Sequence, residues 1–349
     1  MARVVLVTGV SRYIGGRCAR AIAADPGVER VIGVDVVPPS EDLDGCEFVR
    51  ADIRNPVIAK VVERAGVDTV VHLNVIATPT GVGGRGSMKE INVIGTMQLL
   101  AACQKAPGVR RLVVKSTGAV YGSGPSDPAL FTEESEPRSA PRTGWGKDSS
   151  EVEGYVRGFA RRRPDVAVQT LRLANLIGPG MHTALTDYFS LPVVPTVLGF
   201  DARLQFLHED DGVDAIRLAT TGDTLGTVNV AGDGVLLLGQ ATRLAGRPTL
   251  PVLPPFAGFT GQALRSAGLV DLTSEEMRYL RYGRALDTTR MRTVLGFEPR
   301  WTTRGAFEDF VATRRSGGLL DPAVLDRTER ALRTLLGPFT RPAPSREVS

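Results

Sequence analysis

The sequence predicts a doubly wound α/β domain built on a parallel sheet, followed by a smaller C-terminal cap. Three observations carry that expectation. Over the first half of the 349-residue chain, short apolar runs alternate with amphipathic stretches, as strands buried on both faces alternate with crossover helices. The first run, VVLVTG, passes through a glycine-bearing turn into a helical pattern, and the second ends on an acid about 20 residues further on. Beyond Leu173 the alternation breaks, and prolines at 179, 192, 195, 248, 251, 254 and 255 punctuate short elements.

Strands are expected at 4–9, 30–35, 46–53, 68–73, 110–116 and 166–173, each a β-branched or apolar run of strand length. Helices are expected between them at 15–25, 56–66, 88–106 and 149–163, where apolar residues recur at helical spacing. The stretch TGWGKDSSEVE, from Thr143, opens the last of these. A strand at 226–232 and a helix at 210–220 should rejoin the sheet, while 262–269, 274–283 and 288–296 should form the cap. The first domain then takes residues 1–175 plus about 206–235, and the cap about 176–205 plus 236–336. Residues 337–349, GPFTRPAPSREVS, have the composition of a disordered tail.

Hydrophobic residues make up 42% and charged residues 23%, the balance of an ordinary globular chain. The densest basic run, Arg161-Arg162-Arg163, ends a helical pattern whose dipole it complements. With a net charge of only +4 and no recognition motif, no nucleic-acid partner is expected. Cys18, Cys46 and Cys103 lack metal-ligand spacing and suit a reducing compartment. The three histidines are equally dispersed, so no metal site is expected. Met1 leads almost at once into a strand pattern, and the longest apolar stretch, 191–200, is short and proline-broken. A soluble cytoplasmic protein without a membrane partner is the expectation.

In VTGVSRYIG, Gly9 permits a tight turn and Gly15 a close packing of helix on strand, so that amides near Ile14 face a pyrophosphate. The intervening position, where glycine lets the backbone approach the phosphates, holds Arg12 or Tyr13. Arg12 either pairs with a phosphate or points to solvent. Asp35 ends the second strand, where a carboxylate accepts hydrogen bonds from the adenosine ribose; capping of the next turn is the alternative. Val36 and Val37 follow with no arginine for a 2′-phosphate, which favours NAD over NADP.

Together these stretches resemble the extended short-chain dehydrogenase/reductase family, the NAD-dependent epimerases and dehydratases that include UDP-glucose 4-epimerase, over about residues 3–310. The resemblance implies a Rossmann domain holding NAD and a cap that takes a small-molecule substrate, such as a nucleotide sugar. ADIRNP resembles the family's Asp-Ile/Leu-Arg/Thr segment and implies adenine contacts from Asp52 and Ile53. VVHLNV resembles the VVHLAA strand end and implies Leu73, Asn74 and Val75 along the cofactor. INVIGT resembles the helix whose asparagine, here Asn92, is structural. KSTGAVYG resembles the SSxxVYG loop, with Thr117 at the catalytic Ser/Thr position and Tyr121 beside it. RLANLIGP resembles the R-x-x-N-x-x-G-P turn, with Asn175 toward a substrate diphosphate. QFLHEDDGVDAI and MRTVLGFEPRWTT match two later family segments. Homodimer pairing through the helices at 88–106 and 149–163 is a further implication. Segment 191–208 and Arg203, Arg281 and Arg284 are candidates for the substrate cleft, since guanidinium forks suit phosphate; solvated surface arginines are the alternative.

The family's acid–base pair is a tyrosine with a lysine four residues later. A free phenol titrates near ~10 and needs a neighbouring cation to work near neutrality. TGWGKDSSEVE aligns Trp145 with the tyrosine, Ser149 with the lysine and Glu153 with a trailing glutamate. An indole N–H donates a hydrogen bond but is neither acid nor base. Trp145 and Ser149 should share one helix face looking toward the nicotinamide end of the cleft, near Thr117. Lys147, Tyr121, Asp148 and Glu151 are the available substitutes, and Lys147, two residues from either position, faces elsewhere on a regular helix. Two functions stay open: a nucleotide-sugar enzyme using an unconventional base, or a catalytically silent NAD-binding sensor or interaction module.

Overall fold

In the computed structural model, which describes residues 3–74, 85–138, 140–266 and 270–314, strand formation follows the apolar runs. β1 (Arg3–Thr8), β2 (Val28–Asp35), β3 (Cys46–Arg50), β4 (Thr69–His72), β5 (Arg111–Thr117), β6 (Ala167–Leu173) and the strand Gly226–Val230 form one parallel sheet of seven. Gly226–Val230 lies at one edge beside β6, and the order continues β5-β4-β1-β2-β3. The chain reverses direction of growth between β1 and β4, and open sheets of this kind bind ligands at that switch point, beyond the carboxyl ends of the strands.

Both faces of the sheet are covered, which is why its strands read as almost unbroken apolar runs. Val5 and Val7 of β1 pack with Cys18 and Ile22 of α1 (Tyr13–Ala23) and with Ala215 and Ala219 of the helix Glu209–Thr221. Leu6, pointing the other way, packs with α2 (Val57–Arg64), with α4 (Thr96–Lys105) and with α5 (Gly144–Arg162) through Ile58, Leu99 and Phe159. Each of the larger aliphatic and aromatic side chains contributes about 1.5–3 kcal/mol by leaving water.

The expected continuous helix at 88–106 is interrupted. A short helix, α3 (Arg85–Lys89), runs into a π-helical turn, Glu90–Gly95, before α4 begins. Tertiary hydrogen bonds accompany the wide turn. Leu73 N–H donates to Thr8 Oγ1 (3.2 Å), whose hydroxyl lies 2.9 Å from His72 Nδ1, while His72 Nε2 lies 2.8 Å from Thr96 Oγ1. Because Thr96 donates its own proton to the Asn92 carbonyl, His72 donates from Nε2 and accepts at Nδ1. The Asn92 amide in turn donates to Asp148 of α5 (3.4 Å), and Asp148 is fully buried. This polar chain ties the ends of β1 and β4 to the helix that carries Trp145 and Ser149.

The cap has its own core. Phe189 of the helix Ala184–Ser190 meets Phe307 of the helix Thr303–Arg314 edge-on at 5.0 Å, and Phe206 stacks on Phe307 at 5.6 Å. The proline-rich stretch at 191–200 holds a strand, Val194–Val197, paired with Thr249–Val252. The expected tail lies outside the described residues. Among the described residues no helix is long and apolar enough to cross a membrane.

Candidate cofactor and substrate cleft

At the switch point β1 and β4 come close. Gly9 has φ +82°, and a Cβ there would press on the Asn74 backbone at 3.2 Å. Gly15 is tighter, since its Cβ would fall on the Gly9 carbonyl. Both positions therefore require glycine, and α1 is drawn against β1 with its first amides opening onto the cleft. Asp35 is buried at the end of β2, where it accepts from Ser11 N–H (3.1 Å) and Val36 N–H (2.8 Å). These bonds fix the carboxylate. Arg12, in extended conformation at the first residue before α1, is electrostatically coupled to Asp35. Tyr13 reaches across to the start of the helix Glu209–Thr221, donating to Glu209 (2.7 Å), and Glu209 also accepts from Gly180 N–H (3.1 Å) and Arg17 (3.1 Å). Burial and this carboxylate push the Tyr13 phenol up, so it stays protonated.

Farther along, Asp52 is gripped by Arg54 (Nη2 2.6 Å, Nε 3.0 Å), which lowers its pKa. Ile53 is buried, and Gly95 of the π-helical turn sits against it so closely that a Cβ would meet its Cδ1 at 2.7 Å. Leu73 and Asn74 stand at the end of β4, and Val75 lies outside the described residues.

A cavity of about 650 Å³ opens between the sheet and the cap. Arg12, Tyr13, Ile14, Thr117, Trp145, Asn175 and Arg284 line it. Thr117 is buried and accepts from Ala119 N–H (3.1 Å), which leaves its own proton to donate. Trp145 forms one wall. Ser149 stands one turn later, buried, with no hydrogen-bond partner for Oγ among the described residues. Gly144 (φ +71°) and Gly146 let α5 begin against the cap: a Cβ on Gly146 would lie 3.0 Å from the Ala119 carbonyl and 3.1 Å from Glu275. Glu275 accepts from Thr143 N–H (3.0 Å), and burial raises its pKa.

The substitute residues are placed elsewhere. Lys147 pairs with Glu151 along its own helix (3.8 Å). Asp148 faces Asn92. Tyr121 is buried, stacked on Phe131 and bonded to Asn229 (2.8 Å) and Arg172 (2.7 Å). Arg172 also forks onto Glu153 of α5 (2.9 and 2.7 Å), which accepts from Ser116 of β5 (2.6 Å). This network belongs to the framework and leaves Tyr121 no path to the cavity. Of the cap arginines, Arg284 lines the cavity and donates to the Gly122 carbonyl (2.9 Å), whereas Arg203 and Arg281 stand outside its lining. Arg281 lies instead over the rings of Phe200 and Tyr282. No part of 191–208 lines the cavity, because Val194–Val197 is absorbed into the small cap sheet.

Sequence reasoning missed Lys115, Glu275 and Tyr279, all of which line the cavity. Lys115 carried a signal, being a charge inside the apolar strand LVVKST at even spacing from Thr117. Glu275 and Tyr279 carried none, since the position of the helix Ser274–Tyr282 against α5 is a tertiary fact.

A dinucleotide suits what is present: two glycines that no Cβ could replace, a fixed carboxylate at the end of β2, and a cation at the helix mouth where a glycine is missing. A family model described as "NAD dependent epimerase/dehydratase family" matches residues 5–231. An uncharacterized protein of Mycobacterium tuberculosis is 50% identical over 325 residues, covering 92% of this chain and 86% of its own length. Among solved structures, a dTDP-glucose 4,6-dehydratase of Bacillus anthracis in complex with NAD has TM-score 0.68 at 20% identity, covering 90% of this chain and 97% of its own. A UDP-glucose 4-epimerase of Thermotoga maritima with UDP-glucose has TM-score 0.67 at 20% identity, covering 90% and 99%. At these identities the structures speak for the fold, and the family match and the longer relative speak for descent: the chain belongs to the NAD dependent epimerase/dehydratase family, and its cofactor is NAD.

Proposed function

We propose that the chain binds NAD and a nucleotide sugar in this one cleft, and that the wall formed by positions 145 and 149 holds ligands without transferring protons. The supporting observation is the pairing of an indole in the cavity with a buried hydroxyl, Ser149 Oγ, that has no partner among the described residues. When bound, NAD supplies a hydride acceptor and donor. Asp35 would hold the adenosine ribose, and Thr117 would donate a hydrogen bond near the nicotinamide end. Trp145 would keep water off that end. Asn175 and Arg284 would take phosphate oxygens of the sugar nucleotide. Neither Trp145 nor Ser149 can hold or release a proton near neutrality.

A second reading, turnover through a different acid–base group, is favoured by Tyr279. Its phenol reaches the cavity beside Asn175, and the Arg284 guanidinium lies 4.9 Å from its ring centroid. Burial holds that phenol above its ordinary pKa, however, the opposite of what a base near neutrality needs. The silent reading is preferred on that ground. Exposed Ile94, Met97 and Tyr155 further support pairing of two copies through the helices at 88–106 and 149–163.

Tryptophan emission tests the site. The chain has two tryptophans; Trp145 lines the cavity, while Trp301 is stacked on His208 at 4.4 Å. Titration with NAD and then with UDP-glucose or dTDP-glucose should change emission in two saturable steps. The change should be lost in Trp145→Phe while binding by equilibrium dialysis persists. Absence of saturable binding by any UDP- or dTDP-sugar to the NAD-loaded protein would remove the nucleotide-sugar reading.

A further inference from the structure

Lys115 is the charge in this cleft that nothing so far explains. It sits on β5, two residues before Thr117 and on the same strand face, and it lines the cavity. No hydrogen bond or ion pair of its ammonium is found among the described residues. The groups that face it are few. Cys18 comes from α1 and Arg12 from the residue just before it, while His72, which also feels the Lys115 charge, lies on the opposite face of the sheet with Thr8 and Thr96. Burial raises the Cys18 thiol to about 12 and lowers His72 to about 3, so both are neutral. Farther out, Arg17 is taken by Glu209 and Asp210, and Asp214 by Arg300 (2.8 Å). What remains is two cations lining the same cavity and repelling each other, Lys115 and Arg12, with Asp35 acting on Arg12 alone.

Such a pair is unfavourable in an empty cleft. Desolvation and the neighbouring guanidinium bring the Lys115 ammonium down to about 8, and desolvation lowers Arg12 despite Asp35. An anion between them reverses the sign of every interaction. The groups around Lys115 all belong to the α1 side of the cleft; Arg284, Glu275 and Tyr279, at the cap side, are not among them. A ligand phosphate at the mouth of α1 is therefore the fitting anion, and a sugar hydroxyl is not.

We propose that Lys115, from the floor of the sheet, and Arg12, from the helix mouth, together grip the pyrophosphate of the bound dinucleotide and replace the glycine missing from the turn. The inference rests on NAD occupying this cleft. Two consequences separate it from a structural role for the lysine. Binding should draw a proton onto Lys115, because phosphate favours the charged form, so affinity should fall as pH rises through about 8. The contribution should also follow the phosphates and ignore the nucleoside.

Calorimetry on the full-length protein with NAD, ADP and adenosine as probes tests both. Lys115→Met should bind NAD and ADP about tenfold or more weakly, the scale of a lost charge-assisted hydrogen bond, with adenosine unchanged. Lys115→Arg should keep most of the affinity. Near pH 8, where Lys115 is part-neutral, the parent should take up protons on binding NAD, read from the dependence of heat on buffer ionisation, and Lys115→Met should not. Unchanged NAD and ADP affinity in Lys115→Met, or an equal loss for adenosine, would overturn the inference alone. A folded parent that binds neither NAD nor ADP would overturn the reading of the site along with it.

Discussion

Two ionisable residues in this chain are buried where their charged form is disfavoured, and each gives a pH signature. His72 is buried between Thr8 and Thr96, and its pKa falls to about 3, against about 6.5 in the unfolded chain. Between those values the unfolded state binds the extra proton, so stability is lost as pH drops through that window, by about 3–5 kcal/mol from this residue. Chemical denaturation of the parent at a series of pH values should show that slope, and His72→Gln should flatten it. Lys115 gives a slope of the same sign in the alkaline range. Its folded pKa of about 8 lies below the unfolded value, so stability rises with pH from about 8 to about 10. Replacing it with Met should raise the melting temperature at neutral pH while weakening NAD, and a lowered melting temperature would contradict the unpaired-cation picture. At this scale the sequence was half legible. Asp35, Gly9 and Gly15 were readable because strand, turn and helix are adjacent in the chain. The environment of Lys115 was not, because it depends on which sheet face the residue takes and on α1 lying above it.

Among the elements, α5 matters most, since it places Trp145 and Ser149. Its position is set by Glu153, which the Arg172 fork and Ser116 hold against β5 and β6. Both side chains of the pair are nearly inaccessible, at 11% and 5% exposure, so removing one leaves a buried charge uncompensated. Glu153→Ala should therefore cost about 3–5 kcal/mol of folding stability, measured by urea denaturation. Lys147→Ala, which breaks only an exposed pair along the helix, should cost under about 0.5 kcal/mol. The first βαβ unit allows a separate check. Asp35→Ala should weaken NAD by about tenfold or more and NADP less, in direct binding assays. Periodicity located these elements well, because their apolar faces are local in sequence. It read 88–106 as one helix, since the bonds from His72 and Asp148 that accompany the π-helical turn come from strands and helices far along the chain.

For the molecule as a whole, the cleft is a joint product of sheet and cap. Tyr13 and Glu209 lock the mouth of α1 to the turn at 178–180, and Glu275 of the cap abuts the start of α5. Segment 191–208 was expected in the cleft but builds cap framework, because its strand finds a partner in Thr249–Val252. Two copies are expected to pair through the helices bearing Met97 and Tyr155, so light scattering should give twice the 37.3 kDa chain mass. Met97→Glu with Tyr155→Glu should return a monomer. The central claim, that NAD and a nucleotide sugar share a cleft whose 145 and 149 positions cannot move protons, is tested most directly by single-turnover reduction of bound NAD. Mixed with NAD and UDP-glucose or dTDP-glucose, the parent should bind both and form no reduced nicotinamide. Trp145→Tyr with Ser149→Lys should restore formation, by a factor of about 10²–10⁴ if the pair acts as general acid and base. Reduction by the parent at a rate equal to that of the double variant would contradict it.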